Sequence, residues 1–134
     1  KLGARNVLAL DLDPVAVSSA KANAELNGLA DRIDVRESDL LGVLRDSAAS
    51  DGKPFNVTLP VDLVVANILA EIILRFIDDV YAALKPGGLY VASGIFINKE
   101  QEVKRGLEAA GFVIASRDEQ DEWIAFTARK PEGR

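Results

Sequence analysis

The stretch Val61-Asp62-Leu63-Val64-Val65-Ala66 constrains this chain more than any other, and it leads through Asn67 into Ile68-Leu69-Ala70. Five of the six residues are apolar and three are β-branched valines. Such a run suits a parallel strand covered on both faces better than a strand with one wet side. Asn67 then falls at the carboxyl end of the strand, where open α/β sheets place their ligand crevices.

On both sides of this strand the pattern alternates strand with helix. Asn6-Val7-Leu8-Ala9-Leu10-Asp11 reads as a short buried strand ending in a carboxylate. Asp13 is placed to cap the next helix, with Pro14 at its first position and Gly28 as its stop. That helix carries an alanine-rich inner face suited to close packing on a sheet. Arg32 to Glu37 alternates apolar and charged residues, as a strand nearer a sheet edge would. Ser38-Asp39 closes it, a short helix is expected from Leu40 to about Ala49, and Ser50 to Pro54 has loop composition. The region from about Ser47 to Pro60 is expected to be a surface excursion.

Beyond Asn67, Leu69, Ile72, Ile73, Phe76, Ile77, Val80 and Leu84 follow the 3.6-residue period of an amphipathic helix. Lys85-Pro86-Gly87-Gly88 ends that helix and turns the chain into a strand over Leu89 to Ile95. Lys99 to Ala110 reads as a helix with Val103 and Leu107 inward, stopped by Gly111. Phe112 to Ser116 and Trp123 to Ala128 are two last strands joined by a short connection, so they are expected to pair as an antiparallel hairpin. From Lys130 the tail is expected to fray. The fold class is α/β: a mostly parallel sheet wrapped by helices, with a C-terminal antiparallel hairpin.

With 134 residues, 49% of them hydrophobic, the chain suffices for one domain with a core. Its net charge of −5 lacks the basic footprint of a free-standing nucleic-acid binder. Cysteine and histidine are both absent. That excludes disulfides, thiolate metal sites, the usual zinc ligands, and Ser-His or Cys-His nucleophiles, so no metal is expected. No apolar run approaches the roughly 20 residues of a membrane span. Lys1 to Arg5 leads directly into a strand without the pattern of a signal peptide, and a cytoplasmic location is expected. The chain contains no methionine, so it is expected to be a fragment.

Three polar positions follow predicted strands: Asp11, Asp39 and Asn67. In one parallel sheet all three would lie along a single edge and face one ligand. Asp11 suits the acid that accepts hydrogen bonds from ribose hydroxyls; alternatively it caps the next helix, a role for which Asp13 is better placed. Ser38-Asp39 offers an acceptor for an adenine amino group, or an N-cap for the helix after it. Asn67 offers an amide at the sheet edge, or again a helix cap. Ile68-Leu69-Ala70 supplies an apolar wall to such a pocket.

The terminal hairpin, Leu10-Asp11-Leu12-Asp13-Pro14, Ser38-Asp39 and Leu84-Lys85-Pro86-Gly87-Gly88 together resemble the class I S-adenosylmethionine-dependent methyltransferase fold, a Rossmann-like sheet. More narrowly, Asn23-Ala24-Glu25-Leu26-Asn27-Gly28, Val65-Ala66-Asn67-Ile68-Leu69-Ala70 and Ser93-Gly94-Ile95 resemble the PrmA-type ribosomal protein methyltransferases, over nearly the whole chain from Ala4 to Arg129. That family methylates amino groups (lysine and N-terminal amine) of the large-subunit ribosomal protein numbered eleven. The resemblance implies S-adenosylmethionine as cofactor and the ribosomal protein as partner, with no nucleic acid or membrane bound directly. It implies that Asp11 holds the cofactor's ribose, that Ser38 and Asp39 lie by the adenine, and that Leu12 packs on its face. Asn67 stands where related amino-methyltransferases carry an Asn-Pro-Pro-aromatic motif whose Asn accepts a hydrogen bond from the target amine, with Ile68-Leu69-Ala70 in place of the Pro-Pro-aromatic part.

The resemblance also implies a first strand and glycine-rich loop upstream of Lys1, with that strand lying between those that end at Asp11 and Asn67. A substrate-recognition domain is expected upstream as well. On that basis residues 1–134 are expected to be a partial catalytic domain. Three other readings compete: a relative of the same fold acting on another protein or a small amine, a nicotinamide-dependent oxidoreductase, and a non-catalytic interaction domain. The terminal hairpin and the absence of Gly-x-Gly-x-x-Gly oppose the oxidoreductase.

Overall fold

The computed structural model describes residues 3–37 and 55–132, and the chain divides into two units, Lys1–Leu59 and Pro60–Arg134. In the first unit the run ending in a carboxylate forms β1 (Val7–Asp11), which pairs in parallel with β2 (Ile33–Glu37), from Val7 opposite Ile33 to Asp11 opposite Glu37. Parallel neighbours need a crossover, and α1 (Pro14–Leu26) supplies it. Asp13 caps α1 as expected: its backbone is extended and its carboxylate accepts the Val15 N–H at 2.9 Å. Pro14 occupies a first-turn position, where a missing N–H removes no helix bond. Val17, Ala24 and Val35 are buried between helix and strands.

The returning chain is tied across these strands by Asn56. Its amide donates to the carbonyls of Val7 (3.2 Å) and Arg32 (3.0 Å), and its backbone N–H donates to Asp34 at 3.2 Å. Burial pushes the Asp34 carboxyl up, but its bonds from the Arg36 guanidinium and the Asn56 N–H outweigh this and hold it below the ordinary value. Ser38, Asp39, the helix expected over 40–49 and the loop over 50–54 lie outside the described residues.

The second unit is built on β3 (Val61–Asn67), α2 (Ala70–Ala83), β4 (Leu84–Phe96), a 3-10 turn (Ile97–Lys99), α3 (Glu100–Ala110), β5 (Val113–Gln120) and β6 (Trp123–Arg129). The strand order is β3-β4-β6-β5, with β3 parallel to β4 and the other pairings antiparallel. The expected hairpin is present, with longer strands than the apolar pattern indicated. Its two turn residues, Asp121 and Glu122, have φ of 51° and 69°, the signs a type I′ turn requires to match the strand twist.

The helical period after Asn67 lays Ile73, Phe76, Ile77, Val80 and Ala83 onto the sheet. They meet the pleat that carries Tyr90, Ala92, Ile124, Phe126 and Ala128, all at most 1% exposed. Val103 and Leu107 of α3 complete the core, as the sequence indicated. Burial pushes the Tyr90 phenol up to about 12.

Three expectations are corrected. First, β3 is not covered on both faces: Leu63 is 53% and Val65 65% exposed. Leu63 and Val65 pair with Leu89 and Val91, on the pleat opposite Tyr90 and Ala92, and the helices of this unit bury the Tyr90 pleat. Second, Lys85-Pro86-Gly87-Gly88 is not a free turn but the irregular start of β4, where the register with β3 slips between Val61 and Leu63. Third, the tail is anchored as far as Lys130. The Lys130 N–H donates to Gly88 at 2.9 Å, and its carbonyl accepts from Gly87 at 2.7 Å. Its ammonium donates to the carbonyls of Tyr81 and Leu84, 2.8 Å each, at the end of α2, where the helix has carbonyls without internal partners.

The sheet of the first unit and that of the second are separate. Among the described residues β1 pairs with β2 alone and β3 with β4 alone, so each strand leaves one edge without a partner.

The one-sided core makes a measurable contrast. Replacing Ile73, fully buried, by alanine is expected to lower unfolding free energy by about 2–5 kcal/mol. Leu63→Ala, on the exposed pleat, is expected to cost about 0.5 kcal/mol or less. Equal losses in a denaturant titration of the two variants would contradict this assignment of faces.

Candidate functional site

Asn67 is the last residue of β3, opposite Ser93 of β4. The chain crosses from strand to helix through Ile68, whose N–H donates to the Ser93 carbonyl at 3.3 Å. The helix begins only at Ala70, and its capping position is Leu69, which supplies no side-chain hydrogen bond. Asn67 is therefore not the cap of α2. Its side chain is in an exposed residue at the sheet's carboxyl end and makes no hydrogen bond among the described residues. A short polar side chain that neither caps nor braces the backbone is free to bind something else.

It stands at one end of an open groove of about 660 Å³, lined by Asn67, Ser93 and Gly94 on one side and by residues of the β5–β6 hairpin on the other. The hairpin contributes Asp118, Glu119 and Trp123. Trp123 is half exposed, and its ring meets Phe96 edge-on at 5.2 Å, which leaves an apolar surface beside the groove. The acidic wall is braced from behind. Arg117 bonds both carboxylate oxygens of Glu100, at the start of α3, and also Glu119 at 2.7 Å. The Arg117 guanidinium holds the Glu100 carboxyl below its ordinary value. The Ile97 N–H donates to the Glu122 carbonyl at 2.9 Å and fixes the hairpin tip to the 3-10 turn. The groove thus offers the amides of Asn67 and Gln120, carboxylates and an aromatic edge, a lining suited to a nitrogen base on an apolar stem.

The hairpin side of the groove escaped the sequence reading. Asp118, Glu119, Asp121 and Glu122 are visible as a charge run, and Trp123 as the first residue of a strand. Nothing local connects them to Asn67, because the link is the strand order β3-β4-β6-β5, which interleaves the last strand before the one preceding it.

Asp11 lies in the first unit and Asn67 in the second, each at the carboxyl end of its own parallel strand. The expected sheet edge carrying Asp11, Asp39 and Asn67 spans both units, and Ser38 and Asp39 lie outside the described residues. At Asp11 one carboxylate oxygen accepts the Asp13 N–H at 2.9 Å, which fixes the side chain at the strand end while Asp13 does the capping. Leu12, next to it, is 65% exposed. A fixed carboxylate beside a bare leucine fits a ribose diol and the face of a purine, so these residues suit the adenosine part of a nucleoside cofactor.

Comparison with known proteins gives a consistent result. Residues 1–131 match the family model described as ribosomal protein L11 methyltransferase (PrmA). The ribosomal protein L11 methyltransferase of Brevibacillus brevis is 47% identical over 130 residues, 97% of this chain and 37% of that protein. The corresponding protein of Geobacillus kaustophilus is also 47% identical, over 97% of this chain and 38% of its own length. The chain thus spans well under half the length of these curated relatives. A solved ribosomal protein L11 methylase from Lactobacillus delbrueckii subsp. bulgaricus superposes with a TM-score of 0.80 at 30% identity, over 98% of this chain and 61% of that one. An RNA methyltransferase from Salinibacter ruber, solved with S-adenosyl-L-homocysteine, shares the fold at a TM-score of 0.62 and 17% identity, over 96% of this chain and 68% of that one.

Proposed function

This chain belongs to the PrmA family of ribosomal protein L11 methyltransferases, and from that premise we propose that it is part of the catalytic domain of such an enzyme. The reaction is transfer of a methyl group from S-adenosylmethionine to amino groups, lysine and N-terminal amine, of ribosomal protein L11. Its setting is the cytoplasm, where that substrate is made; no helix among the described residues is long and apolar enough to cross a membrane. The observation that carries the proposal is the Asn67 amide, at the end of β3, unused by the helix it precedes and facing an open groove. Family membership leaves the oxidoreductase reading without support.

When bound, S-adenosylmethionine supplies a sulfonium methyl that is already electrophilic. The residues of this chain have two tasks, to hold the cofactor and to present a neutral amine. Asp11 would hold the ribose hydroxyls, accepting their hydrogen bonds with a carboxylate that the Asp13 N–H steadies. Leu12 would pack against the adenine; Ser38 and Asp39, which the resemblance assigns to its amino edge, lie outside the described residues. Asn67 takes the amine. A lysine ammonium, with a pKa of roughly 10.4, must release a proton before it can attack, and the open groove lets that proton reach water. Asn67 Oδ1 then accepts one remaining N–H and fixes where the nitrogen lone pair points, which is most of what an in-line transfer demands. Trp123, which lines the groove and packs on Phe96, would border the aliphatic stem. This division of labour needs no histidine, and the chain has none.

Two substitutions in the full-length protein test the assignment. Asp11→Ala is expected to weaken S-adenosylmethionine binding by more than about tenfold in calorimetry, since it removes a charge-assisted pair of acceptors; an unchanged affinity excludes Asp11 from the cofactor site. Asn67→Ala is expected to reduce turnover on the ribosomal protein by about a hundredfold through loss of alignment, with a smaller effect on cofactor affinity. Normal methyl transfer by that variant would exclude Asn67 from the reaction.

A further inference from the structure

The Asn67 side chain lies against the backbone of a second residue, Gly94 of β4. Gly94 has a φ of +80°, in the left-handed region that side chains disfavour. It sits where β4 slips register against β6, between Ala92 and Ile95. Such irregularities bend a strand and re-aim what lies next to it. Here the bend carries the Gly94 backbone beneath the Asn67 amide. A Cβ added at Gly94 would stand 2.5 Å from Asn67 Oδ1, 3.0 Å from the Ile68 carbonyl oxygen and 3.3 Å from the Ile68 nitrogen. The amide oxygen therefore occupies the space that any side chain at position 94 would fill.

We propose that Gly94 is a positioning residue for methyl transfer: its bare Cα is the seat on which the Asn67 amide oxygen rests. The inference deepens the reading of Asn67 given above and rests on it. Of the three close atoms, two belong to the backbone of Ile68, which the bond to Ser93 holds in the sheet. The third is the end of a side chain that makes no hydrogen bond among the described residues, so it is the atom that yields. A methyl group at position 94 turns the Asn67 amide away from its seat. The displaced amide moves into an open groove, and the Ile68 backbone, 3.0 Å from the added Cβ, has to give by only a few tenths of an ångström. Gly94 thereby sets where the acceptor points, and Asn67 does the accepting.

The test is a double-mutant cycle in the full-length enzyme, with ribosomal protein L11 and S-adenosylmethionine as substrates. Gly94→Ala is expected to lower kcat by about tenfold to a hundredfold and to leave the cofactor Kd within about twofold. Gly28→Ala serves as the control for backbone strain. Gly28 has a φ of +68°, and nothing lies within 4 Å of an added Cβ, so this variant is expected to keep wild-type kcat. In an Asn67→Ala background, Gly94→Ala is expected to change kcat by less than about twofold, since residues acting as one unit are not additive. If Asn67→Ala turns over normally, the reading of Asn67 is wrong and the role of Gly94 goes with it. The inference on Gly94 alone is overturned in two cases: if Asn67→Ala is impaired while Gly94→Ala is not, or if Gly94→Ala loses as much in the Asn67→Ala background as in the wild type.

Discussion

The second unit depends on the parallel pairing of β3 with β4, which runs in register from Leu63 opposite Leu89 to Asn67 opposite Ser93. A parallel pair cannot be closed by a tight turn, so α2 is required, and its apolar stripe is then committed to one pleat of the sheet. Both the core and the groove follow from that commitment. Val64 and Ala66 share the buried pleat with Tyr90 and Ala92, while Asn67 stands one residue further along, on the pleat of Leu63 and Val65. A shift of the pairing by one residue would turn Asn67 toward the helices and put Ala66 or Ile68 in its place at the groove. The apolar contacts of Ile73, Phe76 and Ile77 therefore place a polar side chain they do not touch.

The same sheet brings the hairpin to the groove. Because β6 inserts between β4 and β5, the start of β6 lies across from the end of β4, with Trp123 opposite Phe96. The Arg117–Glu100–Glu119 cluster and the Ile97–Glu122 bond then hold the hairpin's outer end. The strand irregularity at Gly94 falls within this region of β4, so the feature that interrupts the ladder with β6 also seats the Asn67 amide.

Most elements were readable from the chain because their signals are local. The 3.6-residue spacing from Leu69 to Val80, the Asp13-Pro14 start of α1 and the apolar run of β3 each imply one local structure. What escaped the sequence reading is what depends on partners distant in the chain. The exposure of Leu63 and Val65 reflects which face the helices cover, and a strand's own residues do not carry that information. Lys130 is polar and near the end of the sequence, which signals fraying; it is ordered because the carbonyls of Tyr81 and Leu84 need a donor. Asn67 was found by position, and its alternative role as a helix cap could be dismissed only once Leu69 was seen at the cap. Trp123 and Gly94 were unassigned because their connection to Asn67 is made by strand order and a bulge.

The central claim is that this family member presents an amine to a sulfonium methyl by means of Asn67, and the direct measurement is of the product. Incubation of the full-length protein with ribosomal protein L11 and S-adenosylmethionine carrying an isotopically labelled methyl group, followed by peptide mass spectrometry, reads where the label goes. The account predicts labelled methyl groups on lysine or N-terminal amino nitrogens of L11 and near-complete loss of them with Asn67→Ala. Label absent from L11, or deposited equally by wild type and Asn67→Ala, would contradict it.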